Sequence, residues 1–119
     1  KVTEGTAIFH SVMVHFENDQ PVQIEDRCVN ADIVPEYLAQ DYSQTTPHAY
    51  LSLIAPLTEG EHIVEAVRAT TQECALLDIG ETDPCLLIRR TTWSASQIVS
   101  HARLLFPGSR YRLQGHFSS

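Results

Sequence analysis

The sequence predicts an α+β domain, a mainly antiparallel β-sheet with short helices set between its strands. Three observations lead there. Strand-like runs come in pairs around short turns, "AIFHSVMVHF" with "PVQIEDRCVN" and "PCLLIRRTTW" with "QIVSHARLLF". Helix-start signals fall between the pairs, at "TTPHAY" and "TTQEC". At 119 residues the chain suffices for one core and is too short for two domains of ordinary size. Residues 1–119 are therefore read as a single domain.

The first pair predicts strands over 7–16 and 21–30 around a turn at Glu17 to Gln20. Its second strand carries Glu25, Asp26 and Arg27 in a row, where a small domain normally packs apolar side chains. A one-residue change in register turns every side chain over, so the loop length decides where these charges point. A three-residue loop, Glu17 to Asp19 with Asp19 left-handed, separates apolar from polar best. It gives one face Ile8, Val12, Val14, Phe16, Val22, Ile24 and Cys28, with His10 and Asp26 as exceptions. The other face holds Phe9, Ser11, Met13, His15, Gln23, Glu25 and Arg27, with Ser11 opposite Glu25. Such a face is either solvated or lines a pocket.

The connector "VPEYLAQDYSQ" has helical character. After it, Thr46 is a candidate N-cap with Pro47 at the first helical position. A β-rich run over 61–69 follows, and then a short helix with a Thr70–Glu73 capping box and Gly80 as its stop. The second hairpin leads to a turn at Pro107 and Gly108 and a last strand, "RYRLQGHF". "NDQPV" sits in the first hairpin as "ASQIV" does in the second, a weak sign of repetition.

Composition bounds the function. A net charge of −7 works against direct binding of nucleic acid, which needs a basic surface. No run of some 18 apolar residues exists, so no membrane span is expected. Cys28, Cys74 and Cys85 have neither a CxxC pair nor a metal-ligand rhythm; they read as small buried residues in a reducing, cytoplasmic setting. All fifteen acidic residues lie at or before Asp83, whereas the stretch from Leu86 onward has five arginines and no carboxylate. Either the two parts pack as oppositely charged layers or the arginines reach for an anionic ligand.

The chemistry-bearing candidates are few. A helix starting at Thr46 offers free N–H groups and a positive dipole end to a carboxylate or phosphate, unless it is a plain cap. If the second hairpin copies the register of the first, Arg90 shares a face with Ser100; its guanidinium then either forks onto a carboxylate or sits in a surface ion pair. His10 and His15 point to opposite sides of one strand and "EHIVE" lacks the HExxH spacing, so no metal and no cofactor is expected. Ser11, Ser94 and Ser100 have no nucleophile-elbow context, and no catalytic constellation is visible.

The runs "EDRCVN", "TTPHAYL", "EHIVEAV" and "PGSRYRL", within a match along nearly the whole chain, resemble the UTRA-type effector-binding domain of histidine-utilisation repressors, in the HutC branch of the GntR regulators. The resemblance implies a chorismate-lyase-like fold around a small-molecule pocket, a homodimer, and a winged helix-turn-helix DNA-binding domain upstream of residue 1. It also implies urocanate as effector. Sugar-phosphate-sensing relatives place two basic residues before a "DGEP" turn and a glutamate after it. Here the turn reads "NDQP", the glutamate matches Glu25, and the basic positions fall on Met13 and His15. The relatives' helix-start serine falls on Thr46, a later glutamate on Ser100 and an aromatic on Phe106. The expected ligand wall is thus Ser11, His15, Glu25, Arg27, Thr46, Tyr50, Arg90 and Ser100. Glu25 is expected to accept from an imidazole N–H, with Arg90 or the Thr46 helix start on the carboxylate. The competing readings are a chorismate-lyase-like enzyme and a purely structural dimerisation module.

Overall fold

Each hairpin is closed by two residues in the left-handed region, Asn18 and Asp19 (φ 51° and 64°) in one and Ala95 and Ser96 (φ 48° and 73°) in the other. Such a turn matches the right-handed twist of the strands it joins. The computed structural model describes residues 7–55, 57–116 and 118. In chain order it has β1 (Ile8–Glu17), β2 (Gln20–Asn30), a 3₁₀ turn (Tyr37–Ala39), α1 (Pro47–Ile54), β3 (Glu59–Arg68), α2 (Thr71–Leu77), β4 (Pro84–Ser94) and β5 (Gln97–Pro107). The five strands form one antiparallel sheet in the order β1-β2-β5-β4-β3. This is the α+β architecture the sequence predicts.

The first hairpin corrects the expected loop. It has two residues, not three, and an irregularity between His15 and Phe16 shifts the register. The shift restores the predicted division of faces, but Ser11 now lies opposite Arg27 and Met13 opposite Glu25. The second hairpin repeats the device, with its irregularity between Thr92 and Trp93. Arg90 and Ser100 consequently share a face.

Each face of the sheet is packed over its central strands, while edge strand β3 is exposed along almost its whole length. On the face of Glu25, α1 and the 3₁₀ turn bury Val29, Val34, Tyr37, Leu51, Ala55 and Val99. On the other face α2 covers Ile24, Cys85, Leu87 and Leu105 with its own Leu77. Among the described residues no helix is long and apolar enough to cross a membrane.

Four local expectations change. The helical connector contributes only the turn Tyr37–Ala39. Helix α2 has the Thr70–Glu73 capping box but ends at Asp78, which takes the left-handed conformation (φ 54°) expected of Gly80; Asp can occupy that region. Cys74 and Cys85 are buried while Cys28 is exposed, because it points away from the helices over its end of the sheet. Residues 111–116 form no strand, and Phe117 lies outside the described residues. Strand β5 already has β2 and β4 on its two edges, so the chain beyond it has no ladder to join. It turns through Gly108, where a Cβ would meet Pro84 O at 2.9 Å. Arg110 then donates to the carbonyls of Pro21, Leu77 and Asp78, fastening the tail to the hairpin and to the end of α2.

The arginine-rich segment also divides. Arg89 pairs with Glu65 at 3.0 Å and Arg103 with Glu73 at 2.7 Å, so part of the charge asymmetry joins early and late elements. Arg90 does otherwise.

Candidate functional site

One row of side chains crosses all five strands on the α1 face: Ser11, Arg27, Ala102, Arg90 and His62. Ala102 stands between the two arginines and is fully buried.

Two of the three charges of β2 are buried, while Asp26 on the other face is half exposed and pairs with His10. Glu25 is 4 % exposed and Arg27 1 %. Arg27 Nε donates to Glu25 Oε2 at 2.6 Å and Nη1 to Ser100 Oγ at 3.1 Å. His15 Nε2 donates to Glu25 Oε1 at 2.7 Å. Ser100 Oγ also shares a hydrogen bond with Thr92 Oγ1, 2.9 Å away. Burial pushes the Glu25 carboxyl up, but the bond from His15 and the charge of Arg27 outweigh it and hold Glu25 below the usual range. Glu25 is thus a buried carboxylate.

Beside this network lies a cavity of about 210 Å³. Ile88, Leu104 and Phe106 give it an apolar floor; Glu25, Arg27, Arg90 and Gln23 supply polar groups; Thr46, His48 and Tyr111 form the rim. Tyr111 stacks on Phe106 with ring centres 3.9 Å apart, bringing the tail to the mouth. Among the described residues Arg27 Nη2 has no hydrogen bond, yet no fully buried side-chain nitrogen or oxygen is left without a partner. Nη2 is therefore reachable from the cavity. Arg90 donates through Nε to His62 Nε2 at 2.8 Å and, among the described residues, meets no carboxylate. Burial, and then the charge of Arg27, pull Arg90 below its ordinary value. With one carboxylate against two guanidinium groups, the cavity has a surplus positive charge inside an acidic chain. Burial, followed by Arg90, also lowers His48 and His62, which favours their neutral forms.

Helix α1 offers less to an anion than its sequence implies. Pro47 has no N–H, Thr46 Oγ1 accepts from Ala49 N at 3.1 Å, and Tyr50 N bonds Thr46 O. The N–H of His48 remains.

Of the expected wall, Glu25, Arg27, Thr46 and Arg90 line the cavity. His15 and Ser100 stand behind it, touching Glu25 and Arg27 respectively. Ser11 shares a hydrogen bond of 2.8 Å with Tyr37 Oη and belongs to the packing under the 3₁₀ turn. Tyr50 packs edge-on against Tyr42, 6.5 Å between centres, and is not part of the wall. An α1 residue pointing at the core cannot also face the cavity beside its N-terminus. Sequence reasoning missed Gln23, His48, His62, Ile88, Leu104 and Tyr111. Gln23 and Ile88 had a readable signal, two residues from Glu25 and from Arg90 along their strands, and His62 had its place opposite Arg90 once β3 and β4 are paired.

A larger groove, about 650 Å³, is lined by Ile8, Cys28, Asn30, Thr91, Ile98, Val99, Ser100 and His101. It has no pair of charged donors aimed at one point, so an anion is better served by the smaller cavity. Among the described residues no three His, Cys, Asp or Glu side chains converge as metal ligands would.

Comparison with known proteins places this geometry. Residues 1–112 match the family model described as the UTRA domain. A histidine utilization repressor from Klebsiella aerogenes is 78 % identical over 118 residues, 99 % of this chain and 49 % of that protein. Its counterpart from Pseudomonas putida is 64 % identical over 115 residues, 97 % of this chain and 46 % of that protein. The crystal structure of the C-terminal domain of histidine utilization repressor from Pseudomonas syringae pv. tomato str. DC3000 superposes with a TM-score of 0.94 at 61 % identity, covering 99 % of this chain and 84 % of that one. The chain spans about half the length of the curated relatives it matches.

Proposed function

The chain belongs to the UTRA domain family, and from that premise we propose that it is the effector-binding domain of a repressor of histidine utilisation, with urocanate as the inducer. The observation that carries the reading is the pairing of a buried carboxylate with two arginines whose donors are not all used, around a small apolar floor. A flat imidazole with one carboxylate complements each part. Arg90 and Arg27 Nη2 would take the carboxylate, and Ile88, Leu104 and Phe106 the ring. Glu25 would accept from the ring N–H, since each carboxylate oxygen has a second lone pair beyond the bonds from His15 and Arg27. Met13 and His15, where sugar-phosphate sensors have basic residues, leave less positive charge than a phosphate dianion requires.

The domain acts as a regulator and not as an enzyme, in keeping with relatives named as repressors. DNA binding would belong to a winged helix-turn-helix domain upstream, in a cytoplasmic homodimer. Urocanate must favour one arrangement of that dimer, because equal affinity for two states shifts nothing.

Calorimetric titration tests the assignment, with histidine and a sugar phosphate as controls. Saturable binding of urocanate alone is expected, weakened roughly ten- to a hundredfold by Glu25→Gln, the range of one lost charge-assisted bond. Heat from the sugar phosphate and none from urocanate would overturn it.

A further inference from the structure

Arg90 stands between two cavities. The 210 Å³ cavity lies on one side; on the other is a space of about 370 Å³ bounded by His48, Thr58, Glu59, Gly60, His62 and Thr92. Both include His48 and Arg90 in their walls, so the guanidinium is the partition. An unrestrained Arg90 guanidinium is free to turn into that outer space and away from the inner cavity.

One contact opposes that turn, the 2.8 Å bond from Arg90 Nε to His62 Nε2. An arginine nitrogen only donates, so His62 Nε2 must present a lone pair and the ring is neutral, with its proton on Nδ1. Being held through Nε leaves both Nη groups of Arg90 uncommitted, since Arg90 meets no other partner among the described residues. They sit across Ala102 from Arg27, whose Nη2 is also open. Arg89, Arg103 and Arg110, by contrast, are all taken up by carboxylates or carbonyls.

We propose that His62, on the edge strand β3, is a positioning residue of the effector site: it holds Arg90 by Nε so that the two Nη groups, with Arg27 Nη2, clamp the effector's carboxylate. The edge strand thereby sets the preference for an acid over an uncharged analogue. This rests on the proposal that the cavity binds an imidazole carboxylate.

The test titrates the 119-residue chain with trans-urocanate and with its primary amide, which keeps the ring and the double bond but not the charge. Wild type should prefer the acid. His62→Leu should weaken the acid about tenfold, the order of one charge-assisted bond, while the amide is unaffected. His62→Gln, whose side-chain oxygen can accept from Nε, should restore most of the preference. A His62→Leu variant that loses acid and amide alike, or that keeps the full acid preference, would overturn the clamp alone. A wild type that binds neither ligand would overturn the effector assignment and the clamp with it.

Discussion

Hairpins β1–β2 and β4–β5 have the same backbone, each with a two-residue left-handed turn and a register shift three residues before it. Aligned on their turns, Glu25 falls on Ala102, Arg27 on Leu104 and Met13 on Arg90. Thus one hairpin buries an ion pair where the other buries apolar groups. The two are also neighbours in the sheet, where Glu25 pairs with Leu104 and Arg27 with Ala102. Each buried charge therefore has an apolar residue of the other hairpin at its side, which keeps water off the pair and leaves Arg27 only Glu25, Ser100 and the cavity to address. The lesson is that the site is made by putting two unlike copies of one motif side by side.

The largest effect should come from breaking the charged copy by halves. Glu25→Ala strands Arg27 in an apolar setting, and removal of one member of a buried pair typically costs about 3–5 kcal/mol. Replacing both, Glu25→Ala with Arg27→Leu, makes the first hairpin copy the second. Buried pairs exchanged for apolar residues are often neutral in stability, and His15 and Ser100 keep water or Thr92 as partners. The double variant should therefore unfold in urea near the wild-type midpoint while the single variant unfolds far earlier. The double variant should bind no urocanate. A double variant as unstable as the single one would mean that the ion pair holds the fold and not merely the site.

The complementary change enlarges a buried residue of the apolar copy. Ala102→Leu places extra carbons between Arg27 and Arg90, in a position with no exposure. Overpacking of this kind costs about 1–3 kcal/mol, less than the stranded charge, and the added side chain would press Arg27 and Arg90 out of place. Urocanate affinity should collapse with stability only moderately reduced. Retained affinity would move the carboxylate away from the row of Arg27 and Arg90.

The fold was largely legible in the sequence because its signals are local. Paired β-rich runs, Thr46 before Pro47, and Thr70 with Glu73 act over a few residues, and each is found where expected. The division of the first hairpin into faces was legible too, although the two-residue turn and the register shift behind it were not. A bulge leaves no mark in an alternating pattern beyond the parity it restores. The predicted last strand failed for a non-local reason: "RYRLQGHF" has strand-like alternation but no open edge beside β5. The cavity was the least legible. Arg27 and Glu25 announced themselves as charges among apolar residues, whereas Leu104, Tyr111 and His62 join them only through pairings and a tail path separated by tens of residues.

The smallest effect isolates the turns. Asn18 and Asp19 are residue types that tolerate positive φ, whereas Ala95 holds φ 48° without a side chain able to bond locally. That conformation costs an ordinary residue about 1–2 kcal/mol, and Asn less. Ala95→Asn makes the second turn resemble the first and touches neither the cavity nor the core, since Ala95 is exposed. It should raise stability by less than about 1 kcal/mol, seen as an increase of a few degrees in Tm, with urocanate binding unchanged. Because the hairpins differ in turn chemistry and in buried charge independently, combining Ala95→Asn with the Glu25 and Arg27 double change should give additive stabilities. A Tm that does not rise with Ala95→Asn would show that the second turn tolerates alanine at no cost, and that the hairpins differ only in what they bury.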